Sequence, residues 1–137
     1  MRVFLTGAGG FLGREIAREL GARGHLVAGL VRRAEQRAGP RDFVADFLNP
    51  DSFRGDLHVF APDALIHCGW QGVAARERDF RTQLDNVPAT GELVALAASA
   101  GARIVIGLGT QAEYGLTVAP VDEDAPARPV TLAGRLR

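Results

Sequence analysis

Four glycines near the start of the sequence have the spacing of a phosphate-binding loop. Gly7, Gly9, Gly10 and Gly13 follow an apolar run at residues 3–5 and are followed at once by an amphipathic segment. Glycine allows the positive φ of a tight turn and lets a ligand approach the backbone closely. The unpaired N–H groups and the dipole of the following helix would then face an anion such as a pyrophosphate. The pattern predicts a dinucleotide site, and an ordinary glycine-rich turn is the alternative.

Two arginines give a second chemical signal, at the end of a predicted strand at residues 26–31. In dinucleotide-binding folds an acidic residue at this point binds the ribose 2′-OH, whereas an arginine suits a 2′-phosphate. Arg32 and Arg33, with no carboxylate in that strand, favour NADP over NAD as the cofactor. The alternative is that one or both arginines are solvated surface charges.

Other reactive side chains give weaker signals. His67 ends an apolar strand, and we predict a hydrogen-bonded core histidine rather than a base. Cys68, the single cysteine, cannot form an internal disulfide, and we predict a small buried residue rather than a nucleophile. Glu113 is predicted to be a surface charge in a turn. Because the histidines are scattered and make no metal-binding spacing with the cysteine, we predict no metal site.

The length and charge of the chain limit the classes of function. The 137 residues, 47% of them hydrophobic, predict a single domain at residues 1–137. The formal net charge is +0, so we expect neither nucleic acid nor a membrane surface as a partner. No signal peptide is recognised, and no run approaches the ~20 apolar residues of a membrane span. We therefore expect a cytoplasmic protein.

Strand-like and helix-like segments alternate along the chain. The predicted helices lie at residues 11–22, 50–60 and 74–100, and Pro88 should kink or break the last of them. The segment at residues 117–137 is predicted to be a loop with at most a short helix at its end. The predicted strands lie at residues 3–5, 26–31, 42–45, 63–68 and 104–108. This alternation predicts a doubly wound α/β fold with a parallel sheet in the order 3-2-1-4-5 and a ligand crevice at the carboxyl ends of its strands.

Five sequence motifs occur together in one order and spacing. They are TGAGGFLG at residues 6–13, ADF at 45–47, DALIHCGW at 63–70, NVPAT at 86–90 and GTQAEYG at 109–115. In this combination the chain resembles the extended short-chain dehydrogenase/reductases, specifically the NAD-dependent epimerase/dehydratase family that acts on nucleotide sugars. The resemblance implies a Rossmann-type fold and hydride transfer between a nicotinamide and a sugar carbon. The phrase QAEYG weakly favours the branch that reduces 4-keto-6-deoxy sugars.

The resemblance also implies roles for individual positions. It places Asp46 and Phe47 beside the adenine, and it makes Asn86 the residue that fixes the active-site strand and helix. Thr110 stands where the family has its catalytic Ser or Thr. The positions that we predict to bind the cofactor are Gly7, Gly9, Gly10, Phe11, Leu12, Gly13, Arg32, Arg33, Asp46, Phe47, Cys68, Gly69, Trp70 and Asn86.

The sequence departs from the family at the positions that transfer the proton. The family's YxxxK motif aligns here with Ala133 and Arg137. Alanine has no proton to exchange, and arginine keeps its charge and has no phenol to activate. Tyr114, the one tyrosine, belongs to the preceding turn. The family's next helix, sixth strand and C-terminal substrate lobe are absent from these residues, so we expect an incomplete sheet with its fifth strand as an exposed edge.

Three interpretations of this departure stay open. The chain is the cofactor half of a nucleotide-sugar epimerase or reductase whose turnover is impaired. Alternatively, it is a non-catalytic dinucleotide-binding or dimerising module. The third interpretation is an enzyme in which Thr110, Glu113 or water handles the proton. The family resemblance leaves either a homodimer or a completing partner chain as the assembly.

Overall fold

A five-stranded parallel sheet is the frame of the fold. Its strands are β1 (Arg2–Thr6), β2 (Leu26–Val31), β3 (Phe43–Val44), β4 (Ala64–His67) and β5 (Ile104–Gly107). They lie in the order β3-β2-β1-β4-β5, and all four neighbouring pairs are parallel. The predicted strand order is therefore confirmed.

The computed structural model describes every residue of the chain, Met1–Arg137. The chain divides into two compact units. The sheet unit comprises Met1–Gly69 and Pro88–Gly107, and the loop unit comprises Trp70–Val87 and Leu108–Arg137. The assignment of residues 1–137 to a single domain stays a prediction.

Four α-helices follow the predicted pattern in most places. They are α1 (Phe11–Ala22), α2 (Arg54–Phe60), α3 (Asn86–Ser99) and α4 (Leu132–Leu136). The bounds of α1 agree with the prediction, and α2 is preceded by a 3-10 turn at Pro50–Phe53. The short helix expected at the end of the chain is α4. None of the helices is both long enough and apolar enough to cross a bilayer.

The predicted long helix at residues 74–100 is wrong upstream of Asn86. Two 3-10 turns, Ala75–Glu77 and Arg81–Asp85, occupy that part of the chain, and the α-helix begins at Asn86. Pro88 therefore lies in the first turn of α3 rather than at a kink. Proline fits there because the N–H groups of a first helical turn have no acceptor within the helix.

Successive residues of β1 face two different cores. Phe4 belongs to the larger cluster, which contains Leu57 of α2 and Leu93 of α3. Leu5 belongs to the smaller cluster, against which Ile16 of α1 packs. Because neighbouring side chains of a strand point to opposite faces, one short apolar run anchors helices on both sides of the sheet.

The strand β5 is the least covered part of the sheet. Ile104, Val105 and Ile106 are 45%, 47% and 47% exposed, and β5 has a neighbour on one side only. The expectation of an exposed edge strand at this position is confirmed.

Hydrogen bonds between distant segments hold the loop unit together. The N–H of Arg128 donates to the carbonyl of Glu113 at 2.8 Å. At the start of α4, the N–H of Leu132 donates to Asp79 Oδ1 at 2.8 Å, and the N–H of Ala133 donates to the carbonyl of Arg78 at 2.9 Å. These contacts place α4 against the segment that follows Gly72.

Candidate functional site

The loop after β1 has a shape that requires glycine at several positions. Gly7 has a φ of +68°, and a Cβ on it would lie 2.8 Å from the backbone nitrogen of Gly69. A Cβ on Gly13 would overlap the carbonyl oxygen of Gly7. The N–H of Gly10 donates to that same oxygen at 2.9 Å, which closes the turn. The predicted tight turn and its close packing are therefore present.

The N-terminus of α1 has the properties of an anion site. The first helical hydrogen bond runs from the N–H of Arg14 to the carbonyl of Gly10 at 3.1 Å. The N–H groups of Phe11, Leu12 and Gly13 thus have no acceptor within the helix, and the first turn contains neither a side-chain cap nor an acidic residue. Phe11 is 89% exposed. The helix dipole and the three N–H groups suit a pyrophosphate, so this cradle fits a dinucleotide.

A short turn after β2 lies against the glycine loop. A Cβ on Gly9 would come within 2.9 Å of Gln36 Cβ, and Gln36 Oε1 accepts the N–H of Arg33 at 3.2 Å. Arg32 and Arg33 are both exposed. The sequence reasoning missed Gln36, whose place three residues after Arg33 is the spacing of a capping box, whereas its approach to Gly9 exists only in the folded chain.

Asp42 carries the first buried carboxylate after these arginines in the sequence, and backbone N–H groups already bind it. Asp42 accepts the N–H groups of Gly29, Ala38 and Gly39 at 2.8, 2.7 and 3.1 Å. It is 8% exposed. Three backbone donors use both of its oxygens, so Asp42 holds the β2–β3 connection in place. The sequence reasoning did not assign this residue.

A buried hydroxyl–imidazole chain joins the ends of β1 and β4. Thr6 Oγ1 lies 2.6 Å from His67 Nδ1 and accepts the N–H of Gly69 at 3.1 Å. His67 Nε2 lies 3.1 Å from Thr90 Oγ1. The His67 ring thus bridges the hydroxyls of Thr6 and Thr90, and the tautomer of the ring sets which nitrogen donates. The prediction that His67 is a buried, hydrogen-bonded residue is confirmed.

Two residues of the ADF motif have different surroundings. Phe47 is buried and meets the His67 ring edge-on, with 5.2 Å between the ring centroids. Asp46 is exposed, and its Oδ1 accepts the N–H of Leu48 at 3.1 Å. A Cβ on Gly69 would lie 3.3 Å from Phe47 Cδ1.

Cys68 is partly buried and packs against the core on the α1 side of the sheet. The contacts of Asp46, Phe47, Cys68 and Gly69 with a cofactor stay predictions.

In the loop unit, two buried amides fix the segment that carries Trp70. Gln83 and Asn86 are both 0% exposed. Gln83 Oε1 accepts the Trp70 indole N–H at 2.6 Å, and its Nε2 donates to the carbonyls of Gly72 and Glu77 at 2.7 and 3.0 Å. Asn86 Oδ1 accepts the N–H of Gln71 at 2.8 Å, and its Nδ2 donates back to the Gln71 carbonyl at 3.1 Å.

Gln83 is a residue that sequence reasoning missed. It lies in the stretch that the sequence predicted as continuous helix, where a glutamine is expected to face solvent. Asn86 was predicted to bind the cofactor, and in the structure its side chain is hydrogen-bonded to backbone groups of the loop unit. Its contact with a cofactor stays a prediction.

The loop unit encloses a cavity of about 60 Å³. It brings together four residues that the sequence singled out: Trp70, Thr110, Ala133 and Arg137. The guanidinium carbon of Arg137 lies 5.6 Å from the centre of the Trp70 ring. The full lining is Trp70, Gly72, Val73, Arg78, Thr110, Ala112, Ala133 and Arg137. The two positions predicted to depart from the family's YxxxK pattern thus share one cavity with the predicted catalytic threonine.

The single tyrosine lies beside a carboxylate. Partial burial of the ring and the adjacent Glu113 carboxylate raise the pKa of Tyr114. A phenol that acts as a proton donor and acceptor near neutral pH needs a lowered pKa instead. Tyr114 therefore does not have the properties of the missing family tyrosine.

Residues 3–133 match the sequence profile of the NAD dependent epimerase/dehydratase family. A dTDP-6-deoxy-L-talose 4-dehydrogenase (NAD(+)) of Aggregatibacter actinomycetemcomitans is 27% identical over 94% of this chain and 48% of its own length. A methionine adenosyltransferase 2 subunit beta of Pongo abelii is 30% identical over 99% of this chain and 40% of its own length. The chain thus spans less than half the length of these curated relatives.

Solved structures share the fold. A UDP-glucose-4-epimerase from Stenotrophomonas maltophila, solved with bound NAD and formylated UDP-arabinopyranose, superimposes with a TM-score of 0.84 at 22% identity. The match covers 99% of this chain and 45% of that one. A UDP-glucose 4-epimerase from Thermotoga maritima, solved with UDP-glucose, gives a TM-score of 0.83 at 18% identity, covering 99% of this chain and 47% of that one.

Proposed function

The chain belongs to the NAD-dependent epimerase/dehydratase family, and we propose that its sheet unit binds a dinucleotide, NADP in preference to NAD. The observation that carries this proposal is the glycine loop after β1. Its turn leaves the N–H groups of Phe11, Leu12 and Gly13 for a pyrophosphate, and the small residues Gly7 and Gly10 leave space for it.

The preference for NADP rests on the charges at the end of β2. Arg32 and Arg33 are exposed, and β2 itself contains no carboxylate. The carboxylate of Asp42 is held by three backbone N–H groups and does not serve as a ribose acceptor. A guanidinium forms strong, paired hydrogen bonds with a phosphate, whereas a ribose 2′-OH gains less from it. These observations favour a 2′-phosphate.

We propose further that the whole protein is related to enzymes that act on nucleotide sugars, with proton transfer impaired in these residues. A bound nicotinamide would supply hydride transfer. Thr110 is able to orient a substrate oxygen through its hydroxyl, but Ala133 has no exchangeable proton and Arg137 stays charged. The Aggregatibacter relative, named as a dTDP-6-deoxy-L-talose 4-dehydrogenase, supports the substrate class.

A non-catalytic module is the second candidate. Its specific support is the lack of a proton donor at residue 133 together with the raised pKa of Tyr114. One relative is named as the subunit beta of a methionine adenosyltransferase, so a protein of this family also occurs as a component of another enzyme. In that case the sheet unit would bind a dinucleotide, and the function would lie in assembly with a partner or with a second copy.

The first test is a thermal melt of the 137-residue chain with and without NADP or NAD. A ligand that binds only the folded state stabilises it by about 2.7 kcal/mol at a hundred times its Kd, which shifts the midpoint measurably. We expect a larger shift with NADP than with NAD. A cooperative melt that neither nucleotide moves would contradict the proposal.

A second test separates the two candidate functions. NADPH absorbance is followed with a 4-keto-6-deoxy sugar nucleotide, for the chain alone and with candidate partner polypeptides added. We expect background consumption for the chain alone. Turnover that appears with the added polypeptide supports an enzyme half, and consumption that stays at background while NADP still binds supports the non-catalytic module.

A further inference from the structure

We propose that His67 is a positioning residue for nucleotide binding, which acts through the Thr6 hydroxyl on the backbone packed against the glycine loop. The inference rests on the proposed dinucleotide site and adds a residue that works without touching the nucleotide. His67 is 7% exposed and ends β4, and it pairs in register with Thr6, the last residue of β1 before the loop.

The peptide between Cys68 and Gly69, which we call the wall peptide, lies directly against the glycine loop. A Cβ on Gly7 would come within 2.8 Å of the Gly69 nitrogen, 2.9 Å of the Cys68 carbonyl carbon and 3.0 Å of the Cys68 oxygen. Packing this close leaves no space for the two segments to shift independently. A displaced wall peptide would therefore change the turn that the pyrophosphate is proposed to meet.

Two hydrogen bonds tie the wall peptide to Thr6. The N–H of Cys68 donates to the Thr6 carbonyl at 3.3 Å, and the N–H of Gly69 donates to Thr6 Oγ1 at 3.1 Å. Thr6 is 0% exposed, so Oγ1 has no contact with bulk water. The second bond depends on the side-chain rotamer, because another staggered position of threonine would turn Oγ1 away from Gly69.

The His67 ring holds that rotamer in place. Its Nδ1 lies 2.6 Å from Thr6 Oγ1, and its Nε2 lies 3.1 Å from Thr90 Oγ1 on α3. Phe47 packs edge-on against the same ring. Because a hydroxyl both donates and accepts, either tautomer of the ring satisfies both contacts. The ring thus links α3, through Thr6, to the wall peptide.

The polarity of this chain favours a positioning role over simple packing. Buried polar groups cost free energy unless each is hydrogen-bonded, and apolar groups of the same shape can fill such a space with similar stability. A fully bonded polar chain also fixes the direction of each group and rigidifies the backbone that it holds. A preformed cradle then loses less conformational entropy when it binds a nucleotide.

Two substitutions separate the inner contact of the ring from the outer one. An asparagine amide reaches about as far as Nδ1, and a glutamine amide reaches about as far as Nε2. His67→Asn should therefore keep the contact with Thr6, whereas His67→Gln should keep only the contact with Thr90. Calorimetric titration, at a temperature where each variant is folded, should show the Kd for NADP raised about tenfold in His67→Gln, the effect of about one lost hydrogen bond, and less than about twofold in His67→Asn.

Denaturant unfolding of the same variants shows what a merely structural role would do. Each variant keeps one of the two contacts, so both should lose similar stability although their affinities differ. His58→Gln is the matched control, because His58 is an exposed histidine of α2, and it should change neither quantity.

A double-mutant cycle tests whether His67 acts through Thr6. Thr6→Val keeps the shape of the side chain and removes the hydroxyl, so it should weaken NADP binding at least as much as His67→Gln. The two changes together should weaken binding no more than the stronger single change, because both break the same chain of contacts. Additive losses would contradict the proposal.

Two further results would overturn it: an unchanged Kd in His67→Gln, or equal weakening by His67→Asn and His67→Gln in step with equal losses of stability. If a histidine variant does not fold, the ring nitrogen resonances of the unmodified chain give the answer. A shift of the Nδ1 signal with saturating NADP supports the proposal, and an unchanged signal contradicts it. If the unmodified chain binds no nucleotide, the proposed function itself fails; if it binds NADP and His67→Gln binds equally well, only this inference fails.

Discussion

The sheet unit and the loop unit differ in what their family motifs retain. In the sheet unit, Gly7 and Gly13 stand at positions where a Cβ would meet backbone atoms, and the loop keeps its full glycine pattern. In the loop unit, the sequence predicts Thr110 at the family's catalytic position and Ala133 and Arg137 at the positions of the proton-transferring pair. Nucleotide binding depends on backbone shape, whereas proton transfer depends on particular side-chain atoms. The comparison therefore predicts a chain that binds a nucleotide without the family's usual proton transfer.

The largest effect is expected from blocking the glycine loop. Gly10 has an extended backbone and a Cβ on it would meet only the carbonyl oxygen of Gly7, at 3.1 Å, so Gly10→Val should fold. Its side chain would occupy the space for the pyrophosphate, and nucleotide affinity should fall by about 100-fold or more, about 2.7 kcal/mol. Calorimetric titration with NADP measures this.

Gly21→Ala is the matched control for that variant. Gly21 lies in the same helix with no atom near its Cβ position, so nucleotide affinity should not change. Alanine at this helical position should instead stabilise the fold by roughly 0.5–1 kcal/mol. If Gly10→Val bound NADP as tightly as the unmodified chain, the glycine loop would not be the nucleotide site. The contrast between the two units would then be lost.

The second-largest effect is expected from removing the buried Gln83 amide of the loop unit. Gln83→Leu removes three hydrogen bonds and leaves the Trp70 N–H and two carbonyls without their buried partner. We expect the free energy of unfolding to fall by about 2–4 kcal/mol, since each unsatisfied group costs about 1–3 kcal/mol. Denaturant unfolding measures the loss. The exposed Gln111→Leu is the control, and equal effects from both would argue against a buried amide frame.

The third effect sharpens the cofactor assignment in the sheet unit. Replacing Arg32 and Arg33 with alanine should weaken NADP by ~1.5–3 kcal/mol, the value of a charge-assisted hydrogen bond, and should leave NAD nearly unchanged. Parallel titrations with the two nucleotides give the comparison. The same loss for both nucleotides would refute the preference for NADP.

The smallest effect concerns the one phenol of the loop unit. Because partial burial and, after it, the adjacent Glu113 raise the pKa of Tyr114, tyrosinate absorbance should appear above pH 10, the ordinary value. The protonated phenol then stabilises the fold below pH 10, and this contribution is lost as the pH rises through the raised pKa. Glu113→Gln should lower the pKa toward 10. A midpoint below 10 would make Tyr114 a candidate proton donor after all.

Local patterns predicted most of the sheet unit correctly. The bounds of α1 and β2 follow from short-range signals. These are the regular spacing or unbroken run of apolar residues and the glycines that flank each segment. The error at residues 74–85 has a local cause as well. The apolar spacing there resembles a helix, but Pro88 is compatible with a helix start, and the preceding residues form 3-10 turns.

The residues that the sequence reasoning missed share one property. Asp42 and Gln83 act through hydrogen bonds to buried or partly buried backbone groups, and Gln36 packs against Gly9. A polar residue that satisfies a buried backbone group has no periodic signal, because its partner is chosen by the fold rather than by spacing.

The sequence alone predicted the glycine loop and the strand order, and both are present in the structure. The loop follows from residue type, since glycine tolerates its close contacts, and the strand order follows from the alternation of strands and helices. The replacement of the proton-transferring pair stays a prediction. The tertiary structure decided that Trp70, Arg78, Thr110 and Arg137 line one cavity and that Gln83 orders it. These residues come from separate segments of the chain, and only folding sets the distances between them.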